Sequence, residues 1–106
     1  MHLTVNIAKG RISLPRDVVN YLGTDRIEIT SEDNRFTMNR RTGDIDDGIK
    51  IAKDNTIYDR RVAKWIAGQY DIKEDVFRLE IGKMREEDGV PVVYVETGCP
   101  CTNRDE

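Results

Sequence analysis

Hydrophobic and polar side chains alternate in short runs along this chain, and turn residues interrupt the runs every few positions. His2-Leu3-Thr4-Val5-Asn6-Ile7 predicts a strand, Lys9-Gly10 a turn, and Arg11-Ile12-Ser13-Leu14 a returning strand. At Pro15 the period changes. Val18 and Leu22 stand four apart on one helical face, Asp17 suits the positive end of a helix dipole, and Gly23 is a stop signal. Residues 15–22 are therefore expected to form a two-turn helix, with Pro15 in its first position. So short a helix is unstable alone and must pack that face on a sheet. Asp25 to Thr30 alternates again, with Ile27 and Ile29 on one side. Glu32-Asp33-Asn34 predicts a turn and Phe36-Thr37-Met38 a fourth strand.

The same order then recurs. Ile49 to Ile51 is a strand, Asp54-Asn55 a turn and Thr56-Ile57-Tyr58 a strand. Asp59 caps a helix expected to run through Ala67 and stop at Gly68. Val76 to Ile81 follows as a strand, Glu86 to Gly89 as a turn, and Val92 to Val95 as the last strand. The recurrence extends to residues. At a spacing of 44, Ile7-Ala8-Lys9 falls on Ile51-Ala52-Lys53, Arg16 on Arg60, Val18 on Val62, and Tyr21-Leu22 on Trp65-Ile66. Eight further residues around Gln69 to Lys73 shift the match to 52, placing Arg26-Ile27-Glu28-Ile29 on Arg78-Leu79-Glu80-Ile81. The expected fold is mainly β with two short helices. Two β-β-α-β-β repeats, residues 1–42 and 49–96, close one small barrel; 43–48 is an acidic linker and 97–106 a tail.

Composition narrows this picture. With 106 residues, 38 % hydrophobic and 35 % charged, the chain suits one lean core shared by both halves. No apolar run approaches the roughly 20 residues of a membrane span, and no secretory signal is visible, so a cytoplasmic location and no membrane partner are expected. Net charge is −3, unevenly spread: residues 74–106 carry 4 basic and 9 acidic side chains, residues 1–73 carry 13 and 11. That excludes a strongly basic protein but leaves room for a local basic face.

The run Ala8-Lys9-Gly10-Arg11-Ile12-Ser13-Leu14-Pro15, the helix to Leu22-Gly23, and Asp25-Arg26-Ile27-Glu28-Ile29 together resemble the AbrB-like swapped-hairpin superfamily of AbrB, MazE and MraZ type. The likeness covers about residues 3–39. Residues 49–95 would be a diverged second copy, as in the MraZ branch or a related cradle-loop barrel. The resemblance implies double-stranded DNA as partner, bound by basic residues around the first hairpin and the helix. The chain departs from the pattern at Val19 and Asn20, where basic residues often stand, and at Asp54, Asn55 and Asp59 in the second copy.

The candidate DNA-binding set is Lys9, Arg11, Arg16, Lys53, Arg60, Arg61 and Lys64, able to neutralise phosphates if the two copies pair about a pseudo-twofold. Against it stands an ordinary solvated surface balanced by Asp17, Asp54 and Asp59. Asp44-Ile45-Asp46-Asp47-Gly48 has the acids of a calcium loop, but the glycine is one position early and the twelfth position is Asn55. Cys99-Pro100-Cys101 and a single histidine, His2, are too few for a zinc site. No metal, cofactor or catalytic set is expected, and hence no enzyme. The fold would close within one chain, leaving outer surfaces for a homodimer. The competing function is protein interaction, as an antitoxin-like partner or an inhibitor of a basic protein. It would use the acids Glu74, Asp75, Glu80, Glu86, Glu87, Asp88 and Glu96.

Overall fold

Ten elements follow one another in the computed structural model, which describes residues 1–32, 35–40 and 48–96. They are β1 (His2–Asn6), β2 (Arg11–Ser13), α1 (Arg16–Leu22), β3 (Arg26–Glu32), β4 (Arg35–Arg40), β5 (Ile49–Lys50), β6 (Thr56–Tyr58), α2 (Arg60–Gln69), β7 (Val76–Glu87) and β8 (Val90–Val95). The strands form one antiparallel sheet in the order β5-β3-β4-β8-β7-β1-β2-β6. Its outermost members, β5 and β6, are consecutive in the chain and meet where the Ala52 N–H donates to the Thr56 carbonyl at 2.9 Å. The result is a nearly closed, barrel-shaped sheet with two short helices. The expected acidic linker except Gly48, the Asp33 and Asn34 of the expected Glu32-Asp33-Asn34 turn, and the tail with Cys99 and Cys101 lie outside the described residues.

Alternation decides which side chains enter the barrel. Leu3 and Val5 of β1 face inward opposite Leu79 and Phe77 of β7, and all four are fully buried. Ile12 pairs with Ile57 across β2–β6, and Phe36 and Met38 meet Val95 and Val93 across β4–β8. Val18, Leu22, Ala63, Ile66 and Ala67 of the helices join the same cluster, which draws on both halves of the chain. Val18, Leu22 and Ile66 are buried as their spacing predicts, whereas Val62 is only half-buried.

Three boundaries differ from the sequence reading. Pro15 is the N-cap of α1, in extended conformation, not its first helical residue. Helix α2 passes through Gly68 to Gln69 and stops where Asp71 turns left-handed, because the Tyr70 and Ile72 N–H groups still find the Ile66 and Ala67 carbonyls. Strand β7 continues past Ile81 to Glu87, so the turn shrinks to Asp88-Gly89. A register irregularity between Ile81 and Met84 disguises that continuation, since it breaks the two-residue period on which the reading relied.

Side chains from elsewhere finish both helix ends. Arg40 of β4 donates from Nε (3.1 Å) and Nη2 (3.0 Å) to the Leu22 carbonyl, one of the unpaired acceptors at the end of α1. Gly23 fits beneath that guanidinium with φ +67°; a Cβ there would lie 2.8 Å from Nη2. The segment after α2 delivers Tyr70, whose hydroxyl accepts from the Phe36 N–H (3.1 Å) and donates to the Val95 carbonyl (3.0 Å). It thereby bridges the β4–β8 rung at which those two residues face each other.

Two stability changes should follow, both read by chemical denaturation. Leu22→Ala and Ile66→Ala should each cost about 2–5 kcal/mol, because the buried faces cannot collapse around the space left. Tyr70→Phe keeps the ring but leaves the Phe36 N–H and Val95 C=O without their bridge, and should cost about 1–3 kcal/mol.

Candidate functional site

The β1–β2 turn is built by its own backbone. Gly10 donates to the Ile7 carbonyl at 3.1 Å with φ +65°, and the Lys9 N–H is held by Asn6 Oδ1 at 3.0 Å. The turn rests on the start of α2, not of α1. Arg60 Nη2 donates to the Ala8 carbonyl at 2.9 Å, and a Cβ on Gly10 would sit 3.1 Å from that of Arg60. Only a glycine lets turn and helix approach this closely. Asp59 fixes the helix start, its Oδ1 accepting from the Arg61 and Val62 N–H groups at 3.0 and 3.3 Å, as its position before the apolar run predicts.

This contact regroups the seven candidate cations. The turn that carries Lys9 and leads into Arg11 lies against Arg60, whose helix also carries Arg61 and, one turn on, Lys64. All five are exposed. Lys53 instead belongs to the β5–β6 turn, which together with Val19 and Asn20 of α1 borders a second depression of about 450 Å³. Arg16 stands one turn before Asn20 on that helix. The two groups flank the β2–β6 ladder, the first at the Arg11–Tyr58 rung and the second where the Leu14 N–H meets the Asn55 carbonyl.

Their charges differ. The first group sets five cations against one carboxylate, Asp59, which is engaged in capping. In the second, Lys53 and Arg16 are matched by Asp54 and Asp17. Tyr58, more than half exposed, stands between them; its hydroxyl donates to the Asp54 carboxylate. That bond holds Asp54 below the usual carboxylate range and pushes the Tyr58 phenol up. Tyr58 was legible only as a strand residue, because its exposure depends on β6 lying at the end of the sheet order.

The acidic residues of the C-terminal third do not gather. Glu74 and Asp75 precede β7 and Glu86, Glu87 and Asp88 close it, about 35 Å apart along a strand of this length. Arg78, Lys83 and Arg85 lie between. At the far end Arg85 pairs with Glu87 at 2.9 Å and lies over the Tyr94 ring at 5.3 Å. Hydrogen bonds from Tyr94 and then Arg85 lower the Glu87 pKa. Among the described residues, no group of three or more histidine, cysteine, aspartate or glutamate side chains is placed to hold a metal ion, and no helix is long and apolar enough to cross a membrane.

Comparison with known proteins returns no match to a family model, to a curated protein or to a solved structure.

The Asp54–Tyr58 bond gives a direct test of this geometry. Tyr58→Phe should bring the Asp54 pKa back up toward its ordinary value, followed by carboxyl NMR. A carboxylate whose folded pKa is depressed stabilises the fold above its unfolded pKa and loses that contribution as pH falls through the folded value. In the Tyr58→Phe protein that acid-side loss should shrink, leaving the part due to the Thr56 hydrogen bonds.

Proposed function

We propose that this chain is a small, non-enzymatic DNA-binding regulator of AbrB/MraZ type, built from two β-β-α-β-β units and gripping a duplex by one basic lobe. The observation that carries the proposal is the contact of the turn between Lys9 and Arg11 with Arg60, at the start of the helix that also carries Arg61 and Lys64. Five exposed cations around one turn and one helix start can each neutralise a phosphate. The net charge of −3 matters less than this placement, because screening limits distant carboxylates to about 8–10 Å of influence at ordinary salt.

Support for the two-unit reading comes from the pairing. Exchanging β1–β4 with β5–β8 leaves the strand order unchanged when it is read as a ring. The Ile7 N–H donates to the Asp75 carbonyl and the Ile51 N–H to the Asp25 carbonyl, each at 2.8 Å. Val5 faces Phe77 as Ile49 faces Ile27. On this reading the first strands correspond at a spacing of 44, as the sequence suggests, but the third strands correspond at 50 and not 52. The second unit gains six residues, and Asp25-Arg26-Ile27 answers to Asp75-Val76-Phe77.

The protein-partner alternative draws less support, since the acids it would use are spread along β7: Glu74 and Asp75 before it, Glu80 within it with Glu96 alongside, and Glu86, Glu87 and Asp88 at its end. Salt dependence separates the roles of the seven cations. With three or four phosphates neutralised, the slope of log affinity against log salt should be about −3 to −4. Lys9→Ala or Arg61→Ala should each reduce it by about one unit, while Arg16→Ala and Lys53→Ala leave it nearly unchanged. Fluorescence anisotropy with a mixed pool of genomic duplexes reads this directly. No binding at roughly 50 mM salt, where phosphate contacts are strong, would transfer the proposal to a protein partner.

A further inference from the structure

Beside the basic lobe, between α2 and the strands β3 and β5, lies a cleft of about 380 Å³ lined by Ile29, Ile49, Asp59, Arg61, Val62 and Trp65. The molecule seals the corresponding place over α1. Val5 and Val18, which precede Ile49 and Val62 by 44, are fully buried, as is Leu79, 50 beyond Ile29. Around α2 the three aliphatic side chains are only half-buried, and Trp65 is 37 % exposed. The indole is nevertheless positioned, set edge-on to the buried Phe36 ring at 6.2 Å and 65°. One side of the barrel thus keeps open an apolar space that the other side fills.

The polar rim specifies a charge. Asp59 keeps its negative charge, but its Oδ1 is held at the helix start by the Arg61 and Val62 N–H groups. The Arg61 guanidinium has no hydrogen-bond or ion-pair partner among the described residues. Three aliphatic side chains, an indole and one unpaired guanidinium at the low end of ligand-sized volumes fit a small molecule with an apolar body and one anionic group.

We propose that this cleft binds a small organic carboxylate with an aryl or branched apolar body, the carboxylate on Arg61 and the body against Trp65, Ile29, Ile49 and Val62. Because Arg61 also belongs to the basic lobe, an occupied cleft removes one cation from the duplex-facing set and weakens DNA binding. That second statement rests on the DNA reading; the first does not.

Trp65 is the chain's one tryptophan, so emission excited beyond the tyrosine absorption reports on the cleft. The probes are 4-phenylbutanoate and its neutral counterpart 4-phenylbutan-1-ol, titrated into the full chain. The acid should shift Trp65 emission saturably and bind at least about tenfold more tightly than the alcohol, as a charge-assisted hydrogen bond requires. Arg61→Gln, an exposed substitution that leaves the core intact, should bring the acid down to the alcohol's affinity. Equal binding of acid and alcohol to the unaltered chain, or no saturable shift up to about 10 mM, would overturn the site. In the DNA arm, saturating 4-phenylbutanoate should lower duplex affinity several-fold relative to equimolar acetate, and the effect should vanish in Arg61→Gln. Saturable acid binding with unchanged duplex affinity would overturn the regulatory half. Acid binding by a chain that binds no duplex at all would leave the cleft standing and remove the DNA reading.

Discussion

The fold depends on an exchange of partners between the halves of the chain. β1 completes its ladder on β7, and β5 on β3, each exchange pinned by a 2.8 Å hydrogen bond from an isoleucine N–H to an aspartate carbonyl. Were each half to pair only within itself, Leu3 and Val5 would lose Leu79 and Phe77, and the barrel interior would have no floor. A half-chain of this size buries too little apolar surface to be stable alone. The exchange is what lets two lean halves share one dry interior.

The grouping of the candidate cations follows from the same exchange. Because the halves interlock, a turn near the beginning of the chain lies against a helix from its second half. Lys9 and Arg11 thereby acquire neighbours about fifty residues away, and Arg16, only five residues past Arg11, goes to another group. Differences in sequence between the two halves then become differences between two surfaces. Where one pairing of turn and helix is basic, the other is neutral; where Val5, Val18 and Leu79 are fully buried beside α1, Ile49, Val62 and Ile29 beside α2 line a cleft.

Much of the fold was legible because its signals are local. Val18-Leu22-Gly23 specified α1, Asp59 marked the start of α2, and alternation gave the inward face of nearly every strand. On the proposed two-unit reading, the third strands match two residues away from the spacing the sequence suggests; such a slip keeps every side chain on its own face, so polarity alone cannot detect it. The length of β7 escaped because an irregularity near Gly82 interrupts its period. The seven cations could be named from composition and resemblance, but their grouping could not. Which turn meets which helix is a long-range property, written in no short window of sequence. The half-exposure of Ile29, Ile49 and Val62 was hidden likewise, since an aliphatic residue on a buried face reads the same whether or not its neighbour fills the space beside it.

The position of β1 also bears on how the molecule is made. It lies between β2 and β7, so one of its two ladders must wait for residues 76–80, some seventy positions downstream. On a ribosome that emits about 5–20 residues per second, the first hairpin spends seconds with an unpaired, apolar flank. Pairings this distant are slow to form and favour late, concerted folding over growth from the N-terminus. During that interval the cations Lys9 of the turn and Arg11 of β2 disfavour pairing of the nascent hairpin with a neighbouring chain.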